Sequence, residues 1–197
     1  MGTTRMETFF DGVVAIIITI MVLEMKAPHG TSIEALSPLI PVLLSYVLSF
    51  VYLGIYWNNH HHMMQACEKA TGSMLWANLH LLFWLSLIPF TTGWMGENHF
   101  AKLPAAAYGV VLLMSAIAYL ILQKRIIASQ GDDSLLKRAV GRDWKGKLSA
   151  ILNVAAILLA FLSSWLSVAI YVLVALIWVV PDRRIERSLS EMKHNPS

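Results

Sequence analysis

Five long apolar runs leave this chain one medium to fold in. They cover approximately 8–25, 38–57, 73–95, 104–123 and 148–180, and charged side chains are nearly absent within them. A bilayer core about 30 Å thick takes roughly 20 helical residues to cross, with 17 to 25 the usual range. Lipid offers no partner for a bare N–H or C=O, so each run is expected to be a helix. The last run, 33 residues long, would make a helix about 50 Å long. Its polar interruption, Ser163-Ser164-Trp165-Leu166-Ser167, marks the expected turn. Two helices at 147–163 and 165–181 follow, making six crossings in one domain spanning 1–197. Composition agrees, since 57% of the 197 residues are hydrophobic and only 14% charged, against about 25% charged in a soluble domain.

Basic residues set the expected orientation. Six crossings with an inside amino terminus put 13 of the 15 Lys and Arg on the inner face, leaving Lys26 and Lys102 outside. Basic residues favour the cytoplasmic side of membranes, so both termini are expected to be cytoplasmic. Glu7 and Asp11 interrupt the amino terminus and no small-residue cleavage site follows, so the first run is expected to stay as a membrane helix rather than act as a signal peptide. The stretch 133–144 places Leu135, Leu136, Ala139, Val140 and Trp144 near one helical side, with Lys137, Arg138 and Arg142 outside it. That pattern fits an amphipathic helix on the inner membrane surface, and it also fits a solvated linker. A single cysteine, Cys67, excludes an internal disulfide. Lys and Arg are not interleaved with stacking aromatics, so nucleic acid is not an expected partner.

Catalytic chemistry finds little to work with. Buried carboxylates for a proton relay and Arg-rich helices for voltage sensing are both missing from the apolar runs. His60, His61 and His62 tempt toward metal or haem, as does His80. Consecutive helical residues point about 100° apart, so the three cannot converge on one ion. Isolated serines in apolar helices bond back to the backbone or help helices pack. Neither a catalytic site nor a metal site or cofactor is expected.

The first helix is different. On a 100° wheel referenced to Ile16, Ile20 and Leu23 lie within about 40°, as do Gly12 and Arg5, while Thr19 lies about 60° away. Several copies around an axis would stack aliphatic rings beside a ring of hydroxyls. Apolar rings stop ions by dewetting, and hydroxyls replace part of an ion's hydration. An apolar stripe is also what ordinary helix packing or lipid contact requires.

Arg5-Met6-Glu7-Thr8-Phe9-Phe10-Asp11-Gly12 resembles the RxxxFSDG signature of the transmembrane protein 175 family, the lysosomal potassium channel and its bacterial relatives. The continuation VVAIIITIMVLEM, the Trp57-x-x-His60 pair and the stretch from Asn78-Leu79 to Pro89-Phe90 are similar to the family's first three helices. The resemblance covers roughly the first 90 residues. It implies an all-α membrane channel with six helices per chain. One-repeat bacterial forms of the family are homotetramers, with the first helix lining a central pore. It further implies a constriction at Ile16, Ile20 and Leu23, a polar ring at Thr19, and K⁺ as the permeant ion. A cytoplasmic network of Arg5, Phe9, Asp11, Gly12, Trp57, His60 and Asn78 is implied as well. In that reading Arg5 and Asp11 pair directly or through a neighbouring chain, Asp11 sits at the positive helix start, and Gly12 permits close helix approach. Phe10 departs from the pattern, standing where the family has serine and removing a hydroxyl.

The resulting expectation is a passive, potassium-permeable channel in the bacterial inner membrane, with lipid and its own copies as partners. A secondary ion transporter is the alternative. A His-dependent membrane redox protein ranks below it.

Overall fold

The computed structural model describes residues 3–67, 69–131, 136 and 144–179. The expected surface helix at 133–144 lies outside the described residues except for Leu136 and Trp144, as does the basic tail beyond 179. The chain is all helical. It consists of α1 (Thr4–Leu23), a 3₁₀ segment (Ile33–Leu39), α2 (Ile40–Gln65), α3 (Gly72–Ser86), α4 (Ile88–Glu97), α5 (Lys102–Gln130), α6 (Trp144–Leu159) and α7 (Ser164–Val179). Because α3 and α4 form one interrupted rod, these elements of the described residues make six helices. Among the described residues four segments are long and apolar enough to cross a membrane: Thr4–Leu23, Ile33–Gln65, Gly72–Glu97 and Lys102–Gln130. α7 is apolar but shorter. At 16 residues each, α6 and α7 are only about 24 Å long.

Several boundaries differ from the sequence expectation, each for a physical reason. α1 starts at Thr4 rather than residue 8, so the signature forms the helix's first turns instead of preceding it. Asp11 is therefore well inside α1, and the acid in the first turn, where the dipole favours negative charge, is Glu7. α2 runs past Trp57 to Gln65, carrying His60, His61 and His62 on the helix. The third rod breaks at Leu87, between α3 and α4. Pro89, in the first turn of α4, has no N–H to continue the ladder and its ring crowds the preceding turn. The last turn occupies 160–163 and takes in only the first residue of the serine run, since Ser164 to Ser167 are already helical. There the Ser167 N–H bonds the Ser163 carbonyl at 3.2 Å, closing the first turn of α7. Phe161 and Leu162 are exposed in this turn, which lipid tolerates and water would penalise.

Two cores hold the bundle. One joins α1, α2, α3 and α5 through residues such as Phe10, Ile17, Leu53, Leu81, Leu85 and Leu122. The other joins α2, α4, α5, α6 and α7 around Tyr52, Met95, Tyr108 and Tyr171. This second core is laced with hydroxyls, as buried polar groups in lipid must be. Ser49 meets Thr92 at 2.6 Å and Tyr108 at 3.0 Å. Tyr52 donates to the Tyr171 carbonyl at 2.7 Å, and Tyr171 to the Ala105 carbonyl at 3.1 Å. Gly109 makes that packing possible. A Cβ there would stand 2.7 Å from Tyr171 Cζ and 2.8 Å from Ile157 Cγ1.

Candidate functional site

α1 is the helix with an open side. Met6, Phe10, Val14, Ile17 and Met21 recur every three or four residues and are buried, forming one stripe that packs chiefly on α2, α3 and α4. The opposite arc is largely exposed. Ile16 is 59% exposed, Ile20 42% and Leu23 80%, and Gly12 and Thr19 are exposed between them. A Cβ added at Gly12 would meet no atom within 4 Å. The glycine therefore accommodates no close approach within this chain, and any such approach comes from outside it. The Thr19 hydroxyl donates to the Ile16 carbonyl at 2.9 Å, which spends its proton and leaves its oxygen lone pairs available.

The start of α1 is tied to α2 through two carboxylates. The Trp57 indole N–H donates to Asp11 Oδ1 at 2.9 Å. One turn earlier, His61 Nδ1 lies 2.5 Å from Glu7 Oε1. The Gln65 amide donates to His61 Nε2 at 2.8 Å, so Nδ1 carries the proton given to Glu7. His61 also lies nearly parallel to the Trp57 ring, with centroids 6.5 Å apart. The buried layer beneath is Phe10 stacked on His60, with centroids 3.6 Å apart and planes 3° from parallel. His60 Nε2 donates to Asn78 Oδ1 of α3 at 2.9 Å, and His60 Nδ1 is buried without a partner. The stacked pair joins α1 to α2, and the His60–Asn78 hydrogen bond ties both to α3.

Trp57, Asp11, His60 and Asn78 are brought together here. Arg5 and Phe9 are not, since both are exposed on the open arc with Gly12. No salt bridge joins Arg5 to Asp11 within the chain, and the acid that α2 engages beside Asp11 is Glu7, through its hydrogen bond from His61. Sequence reasoning missed Glu7 and His61. Treating RMETFFDG as helix would have found Glu7, because Glu7 and Asp11 are four apart and share a face. His80 accepts the Trp84 indole N–H at 3.0 Å. Among the described residues, no three His, Cys, Asp or Glu are grouped to hold a metal.

At its far end α1 runs into a cleft lined by Leu23, Glu24 and Lys26, with Phe90, Gly93, Trp94 and Glu97 of α4 opposite. Partial burial pushes the Glu24 carboxyl above its ordinary range, and the charge of Glu97 adds to the shift. The Gly93 position is close-fitted, since a Cβ there would sit 3.2 Å from Glu24 Oε2.

Residues 5–89 match the family model described as endosomal/lysosomal potassium channel TMEM175. The chain is 54% identical over 187 residues to a protein of Chryseobacterium sp. (strain P1-3) named a potassium channel, covering 95% of this chain and 97% of that one. It is 30% identical to a protein of Chamaesiphon minutus also named a potassium channel, covering 88% and 92%. The fold superposes with a TM-score of 0.77 on the crystal structure of a lysosomal potassium-selective channel TMEM175 homolog from Chamaesiphon minutus. That match has 28% identity and covers 91% of this chain and 97% of that one.

Proposed function

The chain belongs to the TMEM175 potassium-channel family, and from that premise we propose that it conducts potassium passively across a membrane through a pore lined by α1. It is a channel and not an enzyme. The observation that carries the pore assignment is the open arc of α1. A helix held on one side by a continuous buried stripe leaves Ile16, Thr19, Ile20 and Leu23 exposed on the surface of its own protomer. A homotetramer closing around that arc stacks three aliphatic rings, at Ile16, Ile20 and Leu23, with a hydroxyl ring at Thr19 among them. Such rings gate by dewetting, while the threonine oxygens replace part of the cation's hydration. The assembly lies in the bacterial inner membrane with both termini cytoplasmic. Glu7, Asp11, Trp57, His60 and Asn78 then brace the inner end of the pore helix, and Glu24 stands at its outer mouth.

Purified protein in liposomes, loaded with potassium or sodium, tests this reading. Flux that follows the electrochemical gradient, favours potassium and persists without a proton gradient is the expected result. Flux that saturates and requires a counter-ion gradient would replace the channel with a transporter.

A further inference from the structure

Charge in this chain is concentrated in one place. Positions 124–147 hold seven Lys and Arg against three Asp, a net +4, while the whole chain carries +3. The rest of the chain is therefore slightly acidic. The surplus falls where α5 ends and α6 begins, and these two helices pack on each other. Keeping Lys and Arg in inner loops is enough to orient a membrane protein, but it does not dictate which way they point.

Here they point along lipid-facing stripes. On α5, Val110, Ile117 and Ile121 are exposed on one face, and exposed Lys124 falls about 20° from Ile117 around the helix. Arg125 is exposed beside it. On α6, Ile151, Val154 and Leu158 are exposed, and exposed Lys147 and Trp144 continue their stripe to the start of the helix. Depth agrees with direction. Gly146 and Ser149 of α6 line one cavity with Tyr119 and Leu120 of α5, which sets Lys147 near the level of Leu120. The rise from Lys102 to Leu120 is about 27 Å, and Lys124 lies about 6 Å farther on. With a hydrocarbon core about 30 Å thick, Lys147 and Lys124 bracket its edge, where lipid phosphates sit. Trp144, one turn from Lys147, marks the same level, since indoles gather at the interface.

We propose that the end of α5 and the start of α6 form a binding surface for anionic phospholipids, with phosphates held by Lys124, Arg125 and Lys147 and acyl chains lying along Ile117, Ile121 and Ile151. A zwitterionic lipid brings its own cation and leaves the +4 unmet, whereas an anionic headgroup offsets it. Basic groups beside membrane helices draw anionic lipid in this way, and the lysine stems lie against the acyl region while their ammonium groups reach the phosphates. None of these residues belongs to the open arc of α1, so the surface stands whether or not α1 lines a pore.

The test is native mass spectrometry of the full chain in detergent, titrated with dioleoylphosphatidylglycerol or dioleoylphosphatidylcholine. Tighter binding of the phosphatidylglycerol is expected for the native chain. Lys124→Gln and Lys147→Gln should each weaken it by about fivefold and leave phosphatidylcholine binding unchanged, which also shows that the fold survives. Lys102→Gln, at the opposite end of α5, removes the same charge and should leave both lipids unchanged. Equal binding of the two lipids by the native chain, or undiminished phosphatidylglycerol binding in both inner variants, would overturn the surface. An equal loss in Lys102→Gln would reduce it to an effect of net charge. Displacement of the lipid by millimolar glycerol 3-phosphate would make it a site for a soluble anion and overturn the lipid.

Discussion

Phe10, the residue that departs from the family signature, gives the sharpest test of how α1 is held. Its ring is fully buried and lies flat on His60 at 3.6 Å. Truncating a buried Phe to Ala costs about 3–5 kcal/mol, the spread reflecting how far the surroundings collapse. The parallel contact with His60 favours the upper half, because a stacked aromatic pair adds about 0.5–1.5 kcal/mol beyond its area. Phe10→Ser removes the same ring but brings back a hydroxyl one layer from His60 Nδ1, a buried acceptor without a partner. A hydrogen bond there returns about 1 kcal/mol. Phe10→Ser is thus expected to cost about 3–4 kcal/mol, less than Phe10→Ala, even though serine is the family's residue. Denaturant unfolding of purified protein in mixed micelles, followed by tryptophan fluorescence, gives the order native, Phe10→Ser, Phe10→Ala. A Phe10→Ser protein as stable as the native chain would refute the packing role of the ring. Equal losses for serine and alanine would refute the hydroxyl repair of His60.

Other expectations follow from the same geometry. Ile16→Asn wets an apolar ring and is expected to raise potassium leak into liposomes, and unchanged flux would remove α1 from the conduction path. Thr19→Val keeps the side-chain shape but deletes the oxygen whose lone pairs remain free after its bond to Ile16, so the potassium-to-sodium flux ratio is expected to fall. Gly109→Ala drives a methyl against Tyr171 and Ile157 and displaces the hydroxyl from the Ala105 carbonyl. It is expected to cost about 2–4 kcal/mol in the unfolding assay, with Tyr171→Phe restoring part of it. Glu24, faced by Glu97 and Lys26, has a carboxyl raised by burial. It therefore gains its proton at a higher pH than an ordinary carboxylate, and cation flux is expected to decline from that higher pH as the mouth loses charge. Glu24→Gln should lower flux at neutral pH and flatten the profile. The same shift makes Glu24's contribution to stability present at acid pH and lost as pH rises through its raised value.

The helical rods were legible in the sequence because lipid admits few alternatives to a satisfied backbone. Their ends were less so, since hydropathy reports where a helix is apolar rather than where it is wound. Arg5, Glu7 and Asp11 look like a flank before a membrane helix, but Trp57 and His61 supply partners that let the helix begin beneath them. The serines at 163–167 look like a turn because polar residues break soluble helices. In the bundle Ser167 is buried in α7, and the turn falls on the exposed apolar Phe161 and Leu162. The break before Pro89 was marked by proline, yet the rod resumes at once, since an early position in a new helix needs no proline N–H.

The candidate site was legible as a face but not as a division of faces. In lipid a packed stripe and an open stripe are both apolar, so a wheel built on residue type cannot separate them. The structure separates α1 into three arcs. The buried stripe through Phe10, Val14, Ile17 and Met21 occupies one side. Glu7 and Asp11 lie on the flank toward α2, where they meet His61 and Trp57. The remaining half is open, and its middle falls between Gly12 and Thr19, about 180° from the stripe at 100° per residue. Thr19 is therefore central to the open arc, with Ile20 toward one edge, whereas a wheel referenced to Ile16 puts the threonine at the side. The same geometry accounts for the missing Arg5–Asp11 pair. Arg5 lies on the open arc about 120° around the helix from Asp11, so its guanidinium faces away from the acid of its own chain. Packing and exposure thus fall to different arcs of one helix, and a change at Phe10 or Trp57 can loosen the hold without altering the composition of the open face.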